Sequence, residues 1–344
     1  MTTIIFDKIA SVLKNVNLPD TVTVSDQIDC RDGAIVAVKI LEDKRVYNQL
    51  ELVSGRLSTL HKGDVIAVVL GNRRALKGFV GEVPTSLAVG DIIHVLNLGG
   101  VAGLCTSENV HEVGHALKAE VLGAVTSDGA TLNIHDFTLF PPVSELTLSA
   151  PLIVVSGTCM NVGKTSVAGE IIKHATRAGY TMFGSKLAGV AALRDTENMR
   201  DYGAKKVVSF VDAGCPSTVD SKISVVDVAR GAIQYLSQDN PDYIVIEFGD
   251  GIFGEYGVMD ILKAPDLQKN IVAHIGCAHD PAGALQLAKT CEEIGAPLDL
   301  VSGPVTDNEV GSRFVRNTLN IPAFNALTQN KLLFDQLLQT CLKK

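Results

Sequence analysis

No stretch of about 18 consecutive apolar residues occurs in this 344-residue chain, so no membrane-spanning helix is expected. Positive charge is not in excess either. The 30 Lys and Arg residues face 38 Asp and Glu, and a formal net charge of −8 argues against a nucleic-acid binder or a protein that coats anionic membranes. A small molecule is the expected partner. Paired cysteines are also missing: seven are scattered without regular spacing, and Cys159 sits inside a Gly-rich turn that a disulfide would distort. A reducing cytoplasm is the expected compartment. Ahead of Asp7 and Lys8 the amino terminus has only a three-residue apolar stretch, so no signal-peptide core is expected. What is present is a 46% hydrophobic, 20% charged composition with mean hydropathy +0.24, which describes a well-packed globular protein. The length favours two domains.

Residues 20 to 150 read as β structure, with "TVTVSDQ", "AIVAVKIL", "DVIAVVLG" and "DIIHVLNL" as β-branched runs between Gly and Asp turns. Two segments echo each other, "HKGDVIAVVLG" from His61 and "AVGDIIHVLNLGG" from Ala88. A Gly-Asp pair before a buried strand suits a tight turn, with Gly taking a positive φ and Asp bonding the backbone two residues on. This pair resembles the Gly-Asp box of small cradle-loop β-barrels, which implies a barrel-like amino-terminal domain over residues 1–145. After "FPPVSELTLSAP" the pattern changes to apolar strands alternating with amphipathic helices. That alternation predicts an α/β domain over 146–344 with a parallel, doubly wound sheet covered on both faces. Its first helix is marked by Val167, Ile171, Ile172 and Ala175 at helical spacing and by a stop at Gly179.

Between the first strand and that helix lies "GTCMNVGKTS". A phosphate-binding loop needs small residues so that backbone N–H groups can close on phosphate oxygens, a helix amino end aimed at them, a lysine, and a hydroxyl for magnesium. Thr158, Cys159, Met160, Asn161, Val162, Gly163, Lys164, Thr165 and Ser166 form this candidate nucleotide cradle, a P-loop. Lys164 would reach the β/γ-phosphates and Thr165 the metal. The usual GxxxxGK[ST] spacing misses by one, because Thr158 stands where its first glycine belongs and Gly157 precedes it. Ligands in open α/β sheets bind beyond the carboxyl ends of the strands. Lys186 and Glu247 both follow predicted strands and are expected to converge with Lys164. Asp195 and Asp212 are candidates for a second acidic magnesium ligand beside Thr165 and Glu247, since magnesium favours carboxylates together with phosphates.

"GTCMNVGKTS", with five residues between its glycines, resembles the loop of the dethiobiotin synthetase-like P-loop proteins. "FGSKLAG", "YIVIEFGDGIFG" and "IVAHIGCAHDPAGALQLAKTCEEIG" follow in the order that family uses. The chain also resembles an uncharacterised two-domain group with such a carboxyl half. The resemblance implies ATP (or GTP) and Mg²⁺ as cofactors, with Lys164, Lys186 and Glu247 as catalytic residues and Lys186 contacting a substrate-derived carboxylate and phosphate. It implies Glu247 as a magnesium ligand and the region Ser302 to Asn308 as the seat of the base. The implied reaction is phosphoryl transfer to a small carboxylate or carbamate, followed by amine attack, as in a ligase. A homodimer is expected. The alternative is a nucleotide-switched binding protein or chaperone-type NTPase. Departures from the pattern are Cys159 in place of the loop acid, Leu187 after Lys186, and Phe248 in place of a glycine, so the diamine substrate does not carry over.

A third possibility comes from "HEVGH". His111 and His115 on one face of a helix would bind zinc, with Glu112 as the general base of a metalloprotease and His135 or Asp136 as partner. "LKAEVLGAV", just beyond, reads as a strand, and the pair is expected to be surface histidines. Cys277 with His279 is expected to be structural.

Overall fold

The computed structural model describes residues 2–342. They divide into two compact units, one made of 2–141 with 190–194 and 210–223, the other of 142–189, 195–209 and 224–342. The single break expected at 145/146 is therefore corrected, because the chain twice returns to the amino-terminal unit after leaving it. Among the described residues no helix is long and apolar enough to cross a membrane.

The carboxyl-terminal unit is an α/β fold around six strands: β1 (Leu152–Gly157), β2 (Met182–Ala188), β3 (Lys206–Ser209), β4 (Tyr243–Phe248), β5 (Ile271–Cys277) and β6 (Leu300–Ser302). All pair in parallel, in the order β3-β2-β4-β1-β5-β6. Every residue of β1, β2 and β4 is buried, which is why β1 and β4 open as continuous apolar runs rather than alternating ones. The main helices are α1 (Lys164–Arg177), α2 (Arg194–Asp201), α3 (Val225–Ser237), α4 (Pro281–Glu293) and α5 (Asn330–Thr340). On one face Ile153, Val155, Val245 and Ile275 share a core with Val167, Ile171 and Ile172 of α1 and with Leu333 and Leu337 of α5. The alternate residues Leu152, Val154, Ile244 and Ile246 are equally buried toward the opposite face. Helix starts are fixed locally. Ser224 accepts from the Asp227 N–H at 3.3 Å and Asp280 from the Gly283 N–H at 2.9 Å, with Pro281 in the first turn of α4.

One polar contact ties β1 to β5. His274 Nδ1 lies 2.8 Å from the Ala296 carbonyl and so carries the proton, leaving Nε2 to accept from Ser156 Oγ at 2.7 Å. Burial lowers the imidazole pKa from 6.5 to about 4. The unfolded chain therefore binds the extra proton first, and this neutral histidine contributes stability above pH 6.5 that is lost as the pH falls to about 4. Asp32 and Glu247, both raised to about 7, act with the opposite sign over the same range, as does Asp299, so only a difference isolates His274. Denaturant unfolding of wild type and His274→Gln from pH 7 to pH 4 should show the wild type losing about 3 kcal/mol more than the variant. Parallel curves would refute a buried neutral imidazole.

The amino-terminal unit is mostly β, built on an 11-stranded mixed sheet. Five of its strands close a ring: Leu117–Ser127 pairs with Ile35–Ile40, then Val65–Leu70, Val101–Glu108 and Ile92–Val95, which pairs back to Leu117–Ser127. This is the barrel-like body that the sequence implied. The echoed Gly-Asp segments form matching turns. Gly63 and Gly90 take φ of 96° and 93°, and Asp64 and Asp91 accept from the backbone N–H groups of His61 and Ala88 at 2.7 and 2.8 Å. Each carboxylate thus reaches back three residues, rather than two residues on.

Candidate functional site

The loop Thr158–Gly163 leaves the carboxyl end of β1 and opens α1. Thr158 N–H donates to the Cys277 carbonyl at 3.0 Å, anchoring the loop to β5, and Val162 is fully buried beneath it. Two positions carry the tight turn: Asn161 at φ 61° and Gly163 at φ 88°, the latter serving as N-cap of α1. A side chain at Gly163 would have to adopt that left-handed backbone, which glycine alone enters without cost. The result is a helix amino end with N–H groups unsatisfied by the helix itself, the geometry that receives anions.

Lys164 begins α1 and is 6% exposed, with Nζ donating to the Cys159 carbonyl at 2.8 Å. Burial lowers its ammonium pKa, opposed by Cys277, Glu247 and Asp250. Thr165, next along the helix, donates from Oγ1 to Glu247 Oε1 at 2.5 Å. Glu247 sits near the end of β4, in register with Val155 of β1 and Lys186 of β2. It is 3% exposed, and its second oxygen, Oε2, has no hydrogen-bond partner. Burial, with Asp195 nearby, raises this carboxyl to about 7 against the pull of Lys186, the Thr165 hydroxyl and Lys164. Lys186 is buried and forms an ion pair with Asp195 of α2. Four of the expected residues, Lys164, Thr165, Glu247 and Lys186, therefore meet at the carboxyl edge of the sheet, with Asp195 beside them.

The segment after Glu247 explains its glycines. Ile252 N–H donates to the Gly157 carbonyl at 2.8 Å, and a Cβ on Gly251 would fall 2.2 Å from the Thr158 carbonyl oxygen, so only glycine lets this loop lie against the P-loop. Phe248, where the resembling family has a glycine, is a core residue at 1% exposure.

Asp212 is placed elsewhere. It belongs to the amino-terminal unit, is 1% exposed, and accepts from Lys14 Nζ at 2.9 Å and Asn15 Nδ2 at 3.1 Å. The histidine motif does not assemble. Its helix is only Val110–Val113, Gly114 ends it at φ 65°, and His115 lies beyond, 2.8 Å from Glu108 Oε2. The two imidazoles therefore do not share a helical face, and the metalloprotease reading is withdrawn. His135 lies instead 3.8 Å from Asp32. Among the described residues no group of three or more His, Cys, Asp and Glu side chains is gathered to hold a metal unaided. Cys277 is fully buried, with its thiol pushed up to about 12, as expected of a structural cysteine.

Beside the loop opens a cavity of about 230 Å³ lined by Asn161, Gly163, Ser166, Ser302, Gly303, Asp307 and Asn325 among others. The stretch from Ser302 to Asn308 was expected here. Asn325 to Leu327 were not. Asn325 donates to Asp307 Oδ1 at 2.9 Å while its own oxygen accepts from the N–H groups of Leu327 and Thr328, so one side chain shapes this wall. The signal available in sequence was an Asn four residues ahead of Gln329, at the approach to α5, a pattern that marks a turn but not a cavity.

No family model matches the sequence, and no curated protein does. Among solved structures, the chain is similar to the signal recognition particle receptor FtsY of Elizabethkingia anophelis in complex with GDP, at 13% identity and TM-score 0.37, covering 55% of this chain and 61% of that one. It is similar also to the cell division protein FtsY of Thermotoga maritima, at 17% identity and TM-score 0.38, covering 55% and 66%. A third likeness is to the hydrogenase maturation factor HypB of Archaeoglobus fulgidus, at 16% identity and TM-score 0.36, covering 55% and 88%. The chain thus spans under two thirds of the length of either FtsY protein. The fold is established by the strand order and the loop geometry above, not by these likenesses.

Proposed function

We propose that the carboxyl-terminal unit binds a nucleoside triphosphate with magnesium at residues 157–166 and cleaves its terminal phosphoryl bond. One observation carries this reading: Thr165 and Glu247 share a hydrogen bond at the start of α1, while the other Glu247 oxygen is buried without a partner. A buried carboxylate oxygen with nothing to accept is costly, and a divalent cation would satisfy it. Thr165 and Glu247 would hold that ion, and when bound it would neutralise charge on the phosphates. The residues of the chain do the rest. The N–H groups at the head of α1 receive phosphate oxygens. Lys164, displaced from the Cys159 carbonyl, stabilises charge on the transferring group.

Hydrolysis coupled to a change of state, as in a nucleotide-switched binding protein, needs nothing more than these groups. The ligase reading asks for a second cation to orient an acidic acceptor, and Lys186, buried one strand away from Glu247, favours it. Purified full-length protein should release phosphate from ATP or GTP only with magnesium, and a metabolite library should then separate the two readings. Strong stimulation by a small acid or amine supports the ligase; a slow rate indifferent to added metabolites supports the switch. Absence of both turnover and magnesium-dependent nucleotide binding would sink the proposal.

A further inference from the structure

We infer that the amino-terminal unit holds a binding site for a small organic monocarboxylate, formed by Arg73, Lys44 and Tyr47. Arg73 is 3% exposed, yet among the described residues its side-chain hydrogen bonds run only to neutral groups and to no carboxylate. Its Nη1 donates to Tyr47 Oη at 3.0 Å and to the Leu96 carbonyl, while Nε is buried and has no acceptor. A guanidinium keeps its charge at any accessible pH, so burial cannot be relieved by losing a proton. A second cation shares the same surroundings. Arg73 Cζ lies 5.5 and 5.8 Å from the ring centroids of Tyr47 and Phe79, and Lys44 Nζ lies 5.9 and 5.1 Å from the same two rings. Cation–π attraction offsets part of the desolvation. It does not offset the repulsion between two like charges held against one pair of rings.

The protein's own acids do not supply the missing counter-charge directly. Glu108 is the carboxylate that most supports the Lys44 charge, but Oε1 accepts from the Ala116 N–H at 2.9 Å and Oε2 is 2.8 Å from His115 Nδ1. Glu42 supports the Lys44 charge as well, so only part of the positive field is left over, which suits a monoanion better than a doubly charged phosphate. The free hydrogen-bonding capacity is all of donor type: Arg73 Nε, the Tyr47 hydroxyl proton, and the Lys44 protons beyond the one given to the Val113 carbonyl at 2.8 Å. A carboxylate, which only accepts, is complementary. Phe79, Leu96, Val113 and Ala116 form a buried apolar cluster against which Tyr47 packs, so the surroundings of the two cations are apolar. The cover is local. Lys44 and Tyr47 come from an irregular stretch between strands, and Tyr47 is held at φ 54°, a left-handed backbone that a bulky residue rarely adopts and that recurs at ligand clamps.

Full-length protein is titrated with acetate, pyruvate and benzoate against chloride at equal ionic strength, following melting temperature and heat of binding, with benzamide and inorganic phosphate as comparisons. The expected result is saturable, stoichiometric binding of at least one carboxylate, no binding of benzamide, and weaker binding of phosphate. Tyr47→Phe and Lys44→Gln, at half-buried positions, should each weaken the carboxylate about 10-fold or more; Lys44→Gln should melt near wild type without ligand, and Tyr47→Phe somewhat lower because Arg73 Nη1 loses an acceptor. Arg73→Gln should abolish binding, and the other two variants decide the matter if that one does not fold. Failure of all three carboxylates to bind wild type, binding that both variants leave unchanged, or tighter binding of phosphate would each overturn the inference.

Discussion

Lys164→Ala is expected to reduce nucleotide turnover at least roughly 100-fold, the loss associated with removing one preorganised electrostatic contact to a transition state. The side chain is the only cation within the loop 158–166, and its position at the first turn of α1 puts it at the helix end where phosphate would lie. Sequence alone suggests an exposed lysine of little consequence for stability. The structure places it at 6% exposure, bonded to the Cys159 carbonyl. Removing it deletes one charge-assisted hydrogen bond and also one desolvated ammonium, two effects of opposite sign and similar size. The variant should therefore fold, with a melting temperature close to wild type, and lose phosphate release measured at saturating nucleotide and magnesium. Wild-type turnover in a folded Lys164→Ala protein would remove the P-loop assignment.

How much of this could be read beforehand depends on the range of the interactions involved. The tight strand-to-helix loop was legible because its parts are contiguous: a buried run, a glycine turn, a lysine and hydroxyl, then a stripe at Val167, Ile171 and Ile172. Strand ends were legible too, since apolar runs bounded by Gly place Lys186 and Glu247 without knowing the sheet order. The paired Gly-Asp turns were found as an echo, and only the direction in which the carboxylates reach differed. What sequence could not give was anything set by pairing across distance. Asp212 looked like another strand-end acid, but Lys14 and Asn15, nearly 200 residues away, hold it. "HEVGH" satisfied a helical spacing without a helix, because Gly114 ends the turn and the following β-branched run is drawn into the barrel. Arg73 and Lys44 carry no local motif at all; the hairpin that brings Arg73 near Phe79 pairs with Val101–Glu108, and Lys44 and Tyr47 reach the same place from a distant irregular stretch.

Glu247→Gln should separate metal chemistry from nucleotide binding and from folding. The substitution keeps volume, and the amide oxygen can still accept from Thr165, so the contact between α1 and β4 at 2.5 Å persists. What changes is the other side of the group. The position of Oε2, which has no partner, becomes an N–H₂ that would point a donor at any cation placed there. Turnover should fall roughly 100- to 1,000-fold, equivalent to about 3–4 kcal/mol, with the magnesium requirement shifted to higher concentration or lost. Nucleotide binding without metal should change little, because Lys164 and the loop N–H groups remain. Stability offers an independent reading. Burial raises the carboxyl to about 7, so the folded state carries a penalty for ionising it that is absent below the unfolded value of 4.5 and complete above pH 7. The amide carries no such penalty, and the variant should melt no lower than wild type at pH 8. A less active but equally stable protein would mark Glu247 as a functional acid. Wild-type turnover and magnesium dependence, with a lowered melting temperature, would instead make it an anchor for Thr165 and turn the search for the acidic ligand to Asp195, already paired with Lys186 at the neighbouring strand end.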